Sequence, residues 1–438
     1  MSYQSHRSIL GHSRALAATL SRVGLAAVLV FGALHAHAAP LTLDDALRLA
    51  QERSRQLPAQ DAAAAAARDM AVAAGQRPDP VLKTGLFSLP VNGPDRFSLV
   101  RDNFTMLSVG VSQELTRSGK LRARTSRFER EAEVAEASRE LALANLQRDT
   151  AMAWLDRHYQ ERMRDVLATQ RDEARLQIDA ADAAYRGGRG SQADVFAARS
   201  SVAQIEDRIA QAERQITTAT TQLTRWVGAA AAETLGAPPA IDAVRLRADD
   251  LETQLTHHPQ IAVMARQEAM AQADAEVARA NKQTDVSVEL TYSQRAPAYS
   301  NFVSINLSIP LQWDPKNRQD RELAAKLSVV EQLRAEREEA TRAHVAEALA
   351  MLQEWRSDRE RLTRYDSSLL PLATERTRAS LAAYRGASGS LTAVLEARRG
   401  EIDTRMERLR LEMDAARLWA RLNYLVPIGH DAPAVIRP

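Results

Sequence analysis

Ala183-Ala184-Tyr185-Arg186-Gly187, followed by Gly190-Ser191, Asp194-Val195 and Ala198-Arg199, is written twice in this chain. The second copy reads Ala382-Ala383-Tyr384-Arg385-Gly386, then Gly389-Ser390, Val394 and Ala397-Arg398. Tyr185 and Tyr384 stand 199 positions apart in 438 residues. The repeated unit is therefore a whole structural half, not a short solenoid repeat. Both copies sit at a glycine break between two long helical patterns.

Upstream of the first break, Ala137, Leu141, Ala144, Met152, Leu155, Tyr159, Met163 and Val166 recur at steps of three and four. One helix is expected over 118–186, a rod of ~100 Å at ~1.5 Å per residue. Downstream, Val195, Ala198, Val202, Ile205, Ile209, Ala212, Ile216, Ala219, Leu223 and Trp226 form a stricter seam. That spacing predicts a helix over 191–228 with coiled-coil packing. The second half predicts long helices over 318–385 and 390–426, with a kink at Pro371. Ala237-Pro238-Pro239 links the halves.

Each half also opens with a shorter helix and then changes period from 3.6 to 2. Thr42 is the expected N-cap of the first helix, with Asp45 three residues on, and Gly75 its expected end. Asp249-Asp250 opens the corresponding helix of the second half. Leu107, Val109 and Val111 alternate with Ser108, Gly110 and Ser112. Val286, Val288, Leu290 and Tyr292 alternate with Ser287, Glu289, Thr291 and Ser293, and Val303, Ile305, Leu307, Ile309 and Leu311 with Ser304, Asn306 and Ser308. These patterns predict β-hairpins over 81–115 and 284–311. The domain plan is a leader at 1–38, a first repeat over 39–239, a second over 240–427, and a tail from 428 to 438.

The leader has a basic start (Arg7, Arg14, Arg22), an apolar stretch from Val23 to Leu34, and Ala36-His37-Ala38 as a small-x-small cleavage pattern. This pattern predicts a cleaved secretory signal; the rival reading, an uncleaved anchor, is disfavoured because the apolar stretch is too short to span a bilayer. Its removal leaves 55 basic against 56 acidic residues, a net charge near −1, which argues against nucleic acid as a partner. The chain has no cysteine. Disulfides, thiolate metal sites, cysteine nucleophiles and a lipid on cysteine are excluded. No other apolar run reaches the ~18 residues of a membrane helix.

In an exported chain, strands of about ten residues with one apolar and one small polar face suit an outer-membrane barrel. A soluble sheet packed on a helix has the same alternation, but usually carries Lys and Glu on its wet face. Four strands cannot close in lipid, so the chain must oligomerise. Two copies give eight strands and a filled interior; three give twelve and leave room for a lumen.

The duplicated helix–hairpin–helix–helix plan, with Tyr-Arg-Gly breaks followed by Val-x-x-Ala-Arg, resembles the TolC family of outer-membrane efflux channels across about residues 40–427. Arg77-Pro78-Asp79-Pro80 through Leu89-Pro90-Val91-Asn92-Gly93-Pro94-Asp95-Arg96-Phe97-Ser98-Leu99 resembles its heavy-metal (CusC/CzcC-like) branch. The resemblance implies a mostly α fold with β: a long coiled-coil helical barrel continuous with a transmembrane β-barrel, four strands per protomer, closed in a homotrimer. It implies outer-membrane lipid around the barrel and a tunnel into the periplasm. The tunnel tip would dock onto a periplasmic adaptor (membrane fusion protein) bound to an inner-membrane resistance-nodulation-division pump. Members of the metal branch often carry a lipidated cysteine, which this chain lacks, so the barrel alone would anchor it.

Carried onto this sequence, the tip and adaptor contact comprise Tyr185, Arg186, Gly187, Gly190, Ser191, Tyr384, Arg385, Gly386, Gly389 and Ser390. The glycines would supply the left-handed turn between antiparallel helices. Asp194, Glu396 and Arg189 would form the constriction or gate, with Ala393 standing where the family often has a second acid. The expected function is passive export of heavy-metal cations. The alternatives are a channel for drug efflux or type I secretion, and a periplasmic coiled-coil scaffold or adaptor without a channel.

Beyond the leader the chain has five histidines, His158, His257, His258, His344 and His430. None has a second ligand at i+3 or i+4, and His257-His258-Pro259 reads as a helix-entry turn. The methionines sit at core-like positions with no evident cluster. No catalytic residues, cofactor or resident metal are expected, and the chain is not read as an enzyme.

Overall fold

The computed structural model describes residues 40–245 and 258–427. The leader over 1–38, the helix opening at Asp249-Asp250, His257, His430 and the tail from 428 lie outside the described residues.

The first half runs α1 (Leu43–Arg53), α2 (Gln56–Ala74), β1 (Val81–Phe87), β2 (Met106–Leu115), α3 (Ser118–Arg186) and α4 (Gln192–Val227). The second runs α5 (Pro259–Asn281), β3 (Val286–Gln294), β4 (Phe302–Ser308), α6 (Gln319–Arg364), α7 (Leu370–Arg385) and α8 (Leu391–Asn423). Thr42 caps α1: its Oγ1 accepts the Asp45 N–H at 3.1 Å and donates to the Asp45 carboxylate at 2.7 Å. One helix was expected from there to Gly75, but α1 and α2 are separate, with Ser54 extended at ψ 131°. Pro58 explains the break. It has no N–H for the Ser54 carbonyl and its ring would clash with it, so it is tolerated only in the first turn of a new helix. Pro371 acts comparably later. A five-residue π turn, Tyr365–Leu369, separates α6 from α7 just before it.

The 69-residue α3 is the spine, ~100 Å long. It packs on α2, α4, α5 and α8. Its Trp154, Leu155, Tyr159 and Leu167 are almost wholly buried. They meet Val202, Ile205, Ile209 and Leu223 of α4 and Ile402, Met406 and Leu409 of α8. The Trp154 indole N–H donates to the Leu41 carbonyl at 3.0 Å. Leu41 in turn pairs with the segment after α4, through Leu41 N–H to Thr234 O at 2.8 Å and Gly236 N–H to Leu41 O at 3.0 Å.

The four strands form one antiparallel sheet in the order β1-β2-β3-β4. The β2–β3 pairing, from Leu107 opposite Gln294 to Leu115 opposite Val286, fuses the hairpins of the two repeats. At the helix end of the sheet the halves are tied again. Asp285 accepts the Arg117 backbone N–H at 3.0 Å and the Lys120 ammonium at 2.6 Å. Both charged side chains are largely buried there.

Registers place Leu82, Val111, Leu290 and Ile305 side by side, next to a row of Thr84, Val109, Tyr292 and Val303. The opposite face carries Lys83, Gly110 and Thr291 in one row and Ser112, Glu289 and Asn306 in the next. Lys83 and Glu289 pair across that face at 2.5 Å, and Ser108 and Ser293 share a buried hydroxyl contact at 2.6 Å. Among the described residues no helix covers the apolar face: Leu82, Val109, Leu290, Val303, Ile305 and Leu307 are all about half exposed or more, Ile305 reaching 74%.

Candidate functional site at the hairpin tips

The two copies of the repeated motif come together in space. Ala181 of α3, Val195 and Ala198 of α4, and Leu391 and Val394 of α8 form one buried cluster, with Leu381 and Tyr384 of α7 packed against it. The coiled-coil seam of each second helix makes this possible, because its small and β-branched residues let the helix pairs approach closely.

The turns are built alike. Gly187 N–H bonds the Ala183 carbonyl at 3.0 Å, Gly188 the Tyr185 carbonyl at 3.0 Å, and Arg189 the Ala184 carbonyl at 2.9 Å. Gly386, Ala387 and Ser388 reach the Ala382, Tyr384 and Ala383 carbonyls at 2.9, 3.1 and 2.9 Å. This is the Schellman closure, which satisfies the last carbonyls of a helix and puts the residue after the cap in the left-handed region.

That residue is not one of the glycines expected to hold it. Gly187 and Gly386 have φ −80° and −81°. The left-handed positions are Gly188 at φ 72° and Ala387 at φ 55°. Gly190 and Gly389 matter for space instead: a Cβ on them would stand 3.2 Å from the Ala184 Cβ and 3.0 Å from the Ala383 Cβ. An alanine at positive φ is strained, so Ala387→Gly should stabilise the second tip by about 1 kcal/mol, and Gly188→Ala should cost the first a similar amount. Opposite shifts in the thermal unfolding midpoint would show it; equal shifts would not fit.

The next helix of each copy starts on a serine. Ser191 and Asp194 form a reciprocal capping box: the Asp194 carboxylate accepts from the Ser191 N–H at 2.9 Å and hydroxyl at 2.7 Å, and the Ser191 Oγ accepts the Asp194 N–H at 3.2 Å. The backbone bond first, then the hydroxyl, hold this carboxyl below the usual aspartate range. Ser390 accepts only the Ala393 N–H, at 3.2 Å, since Ala393 has nothing to return.

The copies also differ in charge and exposure. Arg186 pairs with Asp182, whereas Arg385 has Leu381 at the matching place. Among the described residues, Arg189 and Glu396 make no ion pair, and Asp194 is engaged only with its own cap. Tyr185 and Phe196 are 47% and 57% exposed, while their counterparts Tyr384 and Leu395 pack into the shared cluster. Sequence reading missed Arg398 as a tie. It is buried and donates to Gln170 at 3.2 Å and to Glu173, both on α3. Its counterpart Arg199 is exposed. The signal for it was weak, since an arginine on a helix usually faces water.

His258 caps α5, its Nδ1 accepting the Gln260 N–H at 3.2 Å, and stacks on His344 at 4.8 Å between ring centres. Burial, then the charges of His344 and Arg148, push it down to about 4, so it is neutral near pH 7. Among the described residues, no grouping of His, Cys, Asp and Glu could hold a metal ion. Nor is any described helix long and apolar enough to cross a membrane.

The outer membrane efflux protein family matches residues 46–229. The fold is similar to the outer-membrane channel OprN, at 16% identity over 88% of this chain and 90% of that one, with TM-score 0.73. It is similar to CusC at 15% identity over 87% and 92%, with TM-score 0.72. It is also similar to the outer membrane protein VceC of Vibrio cholerae, at 16% identity over 87% and 95%, with TM-score 0.72. No curated protein matches the chain. The match to the outer membrane efflux protein family runs from α1 through α4, and the likeness to these outer-membrane channels extends the shared fold over both halves of the chain.

Proposed function

We propose that three copies of this chain form an outer-membrane channel that conducts cargo passively from a periplasmic adaptor and a resistance-nodulation-division pump to the outside, and that the cargo is heavy-metal cations. The observation that carries the channel reading is the uncovered apolar face of the sheet. Water would penalise that contiguous surface, whereas a bilayer would cover it. The free edges of β1 and β4 must also be paired in lipid, which one protomer cannot do. Twelve strands from three copies close the barrel with the Ser, Thr and Asn face inward. The ~100 Å helices then extend the tunnel into the periplasm.

The tips are the adaptor contact, through Tyr185, Arg186, Gly187, Gly190, Ser191, Tyr384, Arg385, Gly386, Gly389 and Ser390. Asp194, Glu396 and Arg189 serve as the gate. Glu396 is the stronger element because it is exposed and unpaired, so three copies give a ring of free carboxylates. Glu396→Ala should raise single-channel conductance, measured in planar bilayers; unchanged conductance removes its gate role.

The cargo reading rests on the Arg77–Leu99 segment. CusC and OprN fit the fold equally well, with TM-scores of 0.72 and 0.73, and do not separate cargoes. A deletion strain should become sensitive to zinc, cobalt, cadmium, copper or silver and keep its tolerance of dyes and antibiotics. The reverse pattern would assign the channel to drug efflux.

A further inference from the structure

Three methionines from two helices converge on one cavity. It lies between α3, α4 and α8, has a volume of about 250 Å³, and is lined by Met163, Met406 and Met413. Met406 and Met413 are two turns apart on α8 and so share a face, while Met163 comes from α3. All three are buried, at 4%, 8% and 8% exposure. Along the chain Met163 is far from the other two, so only the packing of α8 on α3 brings them together.

Methionine is a common gap filler, and a filler should leave no gap. Here the three methionines border open space. Gln160 points into the same region, its Nε2 donating to the Met413 sulfur at 3.8 Å. Its Oε1 is shielded from solvent and accepts no hydrogen bond. A buried acceptor without a partner is costly, and a cation beside it would relieve that cost. The charged residues of the lining are already paired: Arg208 with Asp403 at 2.6 Å, Arg410 with Glu407 at 3.6 Å and Asp414 with Arg417 at 3.3 Å. The rest of the lining is neutral: the three methionines, three glutamines, Leu167 and Ala212.

Neutral thioethers with one carbonyl oxygen are a poor donor set for zinc or cobalt, which favour imidazole, thiolate and carboxylate. They suit soft monovalent cations. We propose that Met163, Met406 and Met413, with the Gln160 carbonyl oxygen, bind one Cu(I) or Ag(I) ion within the wall of each protomer. The site lies inside a single chain, so it rests neither on trimer closure nor on the cargo proposed above.

Ag(I), which needs no reductant, is the probe. The purified oligomer is loaded in chloride-free nitrate buffer, dialysed and analysed for metal. It should retain about one Ag(I) per protomer and no Zn(II). Leucine nearly conserves the volume of methionine. The triple variant Met163→Leu, Met406→Leu, Met413→Leu should therefore keep its fold and bind Ag(I) at least about tenfold more weakly. Met351→Leu, on α6 in a separate core cluster, should bind as the parent does. Equal retention by the triple variant, or none by the parent, overturns the site. If the triple variant does not assemble, X-ray absorption of the Ag-loaded parent decides: sulfur neighbours support the site, and nitrogen and oxygen neighbours alone reject it.

Discussion

Ile305→Arg should destabilise the proposed barrel severely and remove the proposed trimer from the outer-membrane fraction, while Ser304→Arg, one residue earlier, should leave it there. Ile305 is the middle residue of the seven-residue β4 and is 74% exposed on the apolar face. In lipid, an arginine at the midplane of a barrel strand costs ~2–4 kcal/mol, and a trimer carries three. Ser304 pairs with Thr291 on the polar face, where a charge would stay in water. On a water-exposed soluble sheet the two substitutions would be nearly equivalent, each within about 0.5 kcal/mol of neutral. The measurement is the yield of heat-modifiable trimer in sarkosyl-insoluble membranes. Equal recovery of both variants would count against lipid on the Ile305 face.

The second large effect belongs to Trp154. Its side chain is completely buried at the middle of the spine, among α1, α3 and α4. Its indole N–H holds the Leu41 carbonyl, on the segment that leads into α1. Trp154→Ala leaves a large cavity, with the Leu41 carbonyl keeping only the Gly236 N–H, and should cost ~3–5 kcal/mol. Trp154→Phe keeps most of the apolar area and loses the hydrogen bond, at about 1 kcal/mol. Thermal dissociation of the trimer should therefore fall strongly for alanine and mildly for phenylalanine. If the two variants fall alike, the bond to Leu41 and not the buried ring dominates.

Much of the architecture could be read from local patterns, because both helix and strand here declare themselves by period. The alternation in β3 and β4 is clean enough to assign faces, and the two repeats reinforce one another. β1 was less legible: Val81 and Phe87 are apolar on the face that carries Lys83 and Gly85. The register puts them at the two ends of the strand, opposite Ser112 and Met106, so they break the pattern only at its edges. The α1–α2 break depended on Pro58, whose ring acts on a carbonyl four residues back and leaves the hydrophobic period intact. At the tips, the repeat pointed to the right residues but the wrong mechanics. Gly187 and Gly386 invite a left-handed assignment, yet hydrogen-bond closure passes it to the next residue, an alanine in the second copy. Arg398 and the methionine cavity depend on how α8 lies against α3, and a one-dimensional pattern does not carry that pairing.

In the proposed channel the two faces of this sheet meet different solvents, lipid on one and a water-filled lumen on the other. The chain contains no cysteine, so single substitutions report without background. Val303→Cys, Ser304→Cys, Ile305→Cys, Asn306→Cys and Leu307→Cys can be labelled one at a time in membranes with a charged, water-soluble maleimide, and in parallel with a lipid-soluble one. The expected result is alternation. Positions 304 and 306 react with the charged reagent; 303, 305 and 307 resist it and take the lipid-soluble one. Uniform reaction with the charged reagent along all five positions would contradict it and leave a water-exposed sheet in its place.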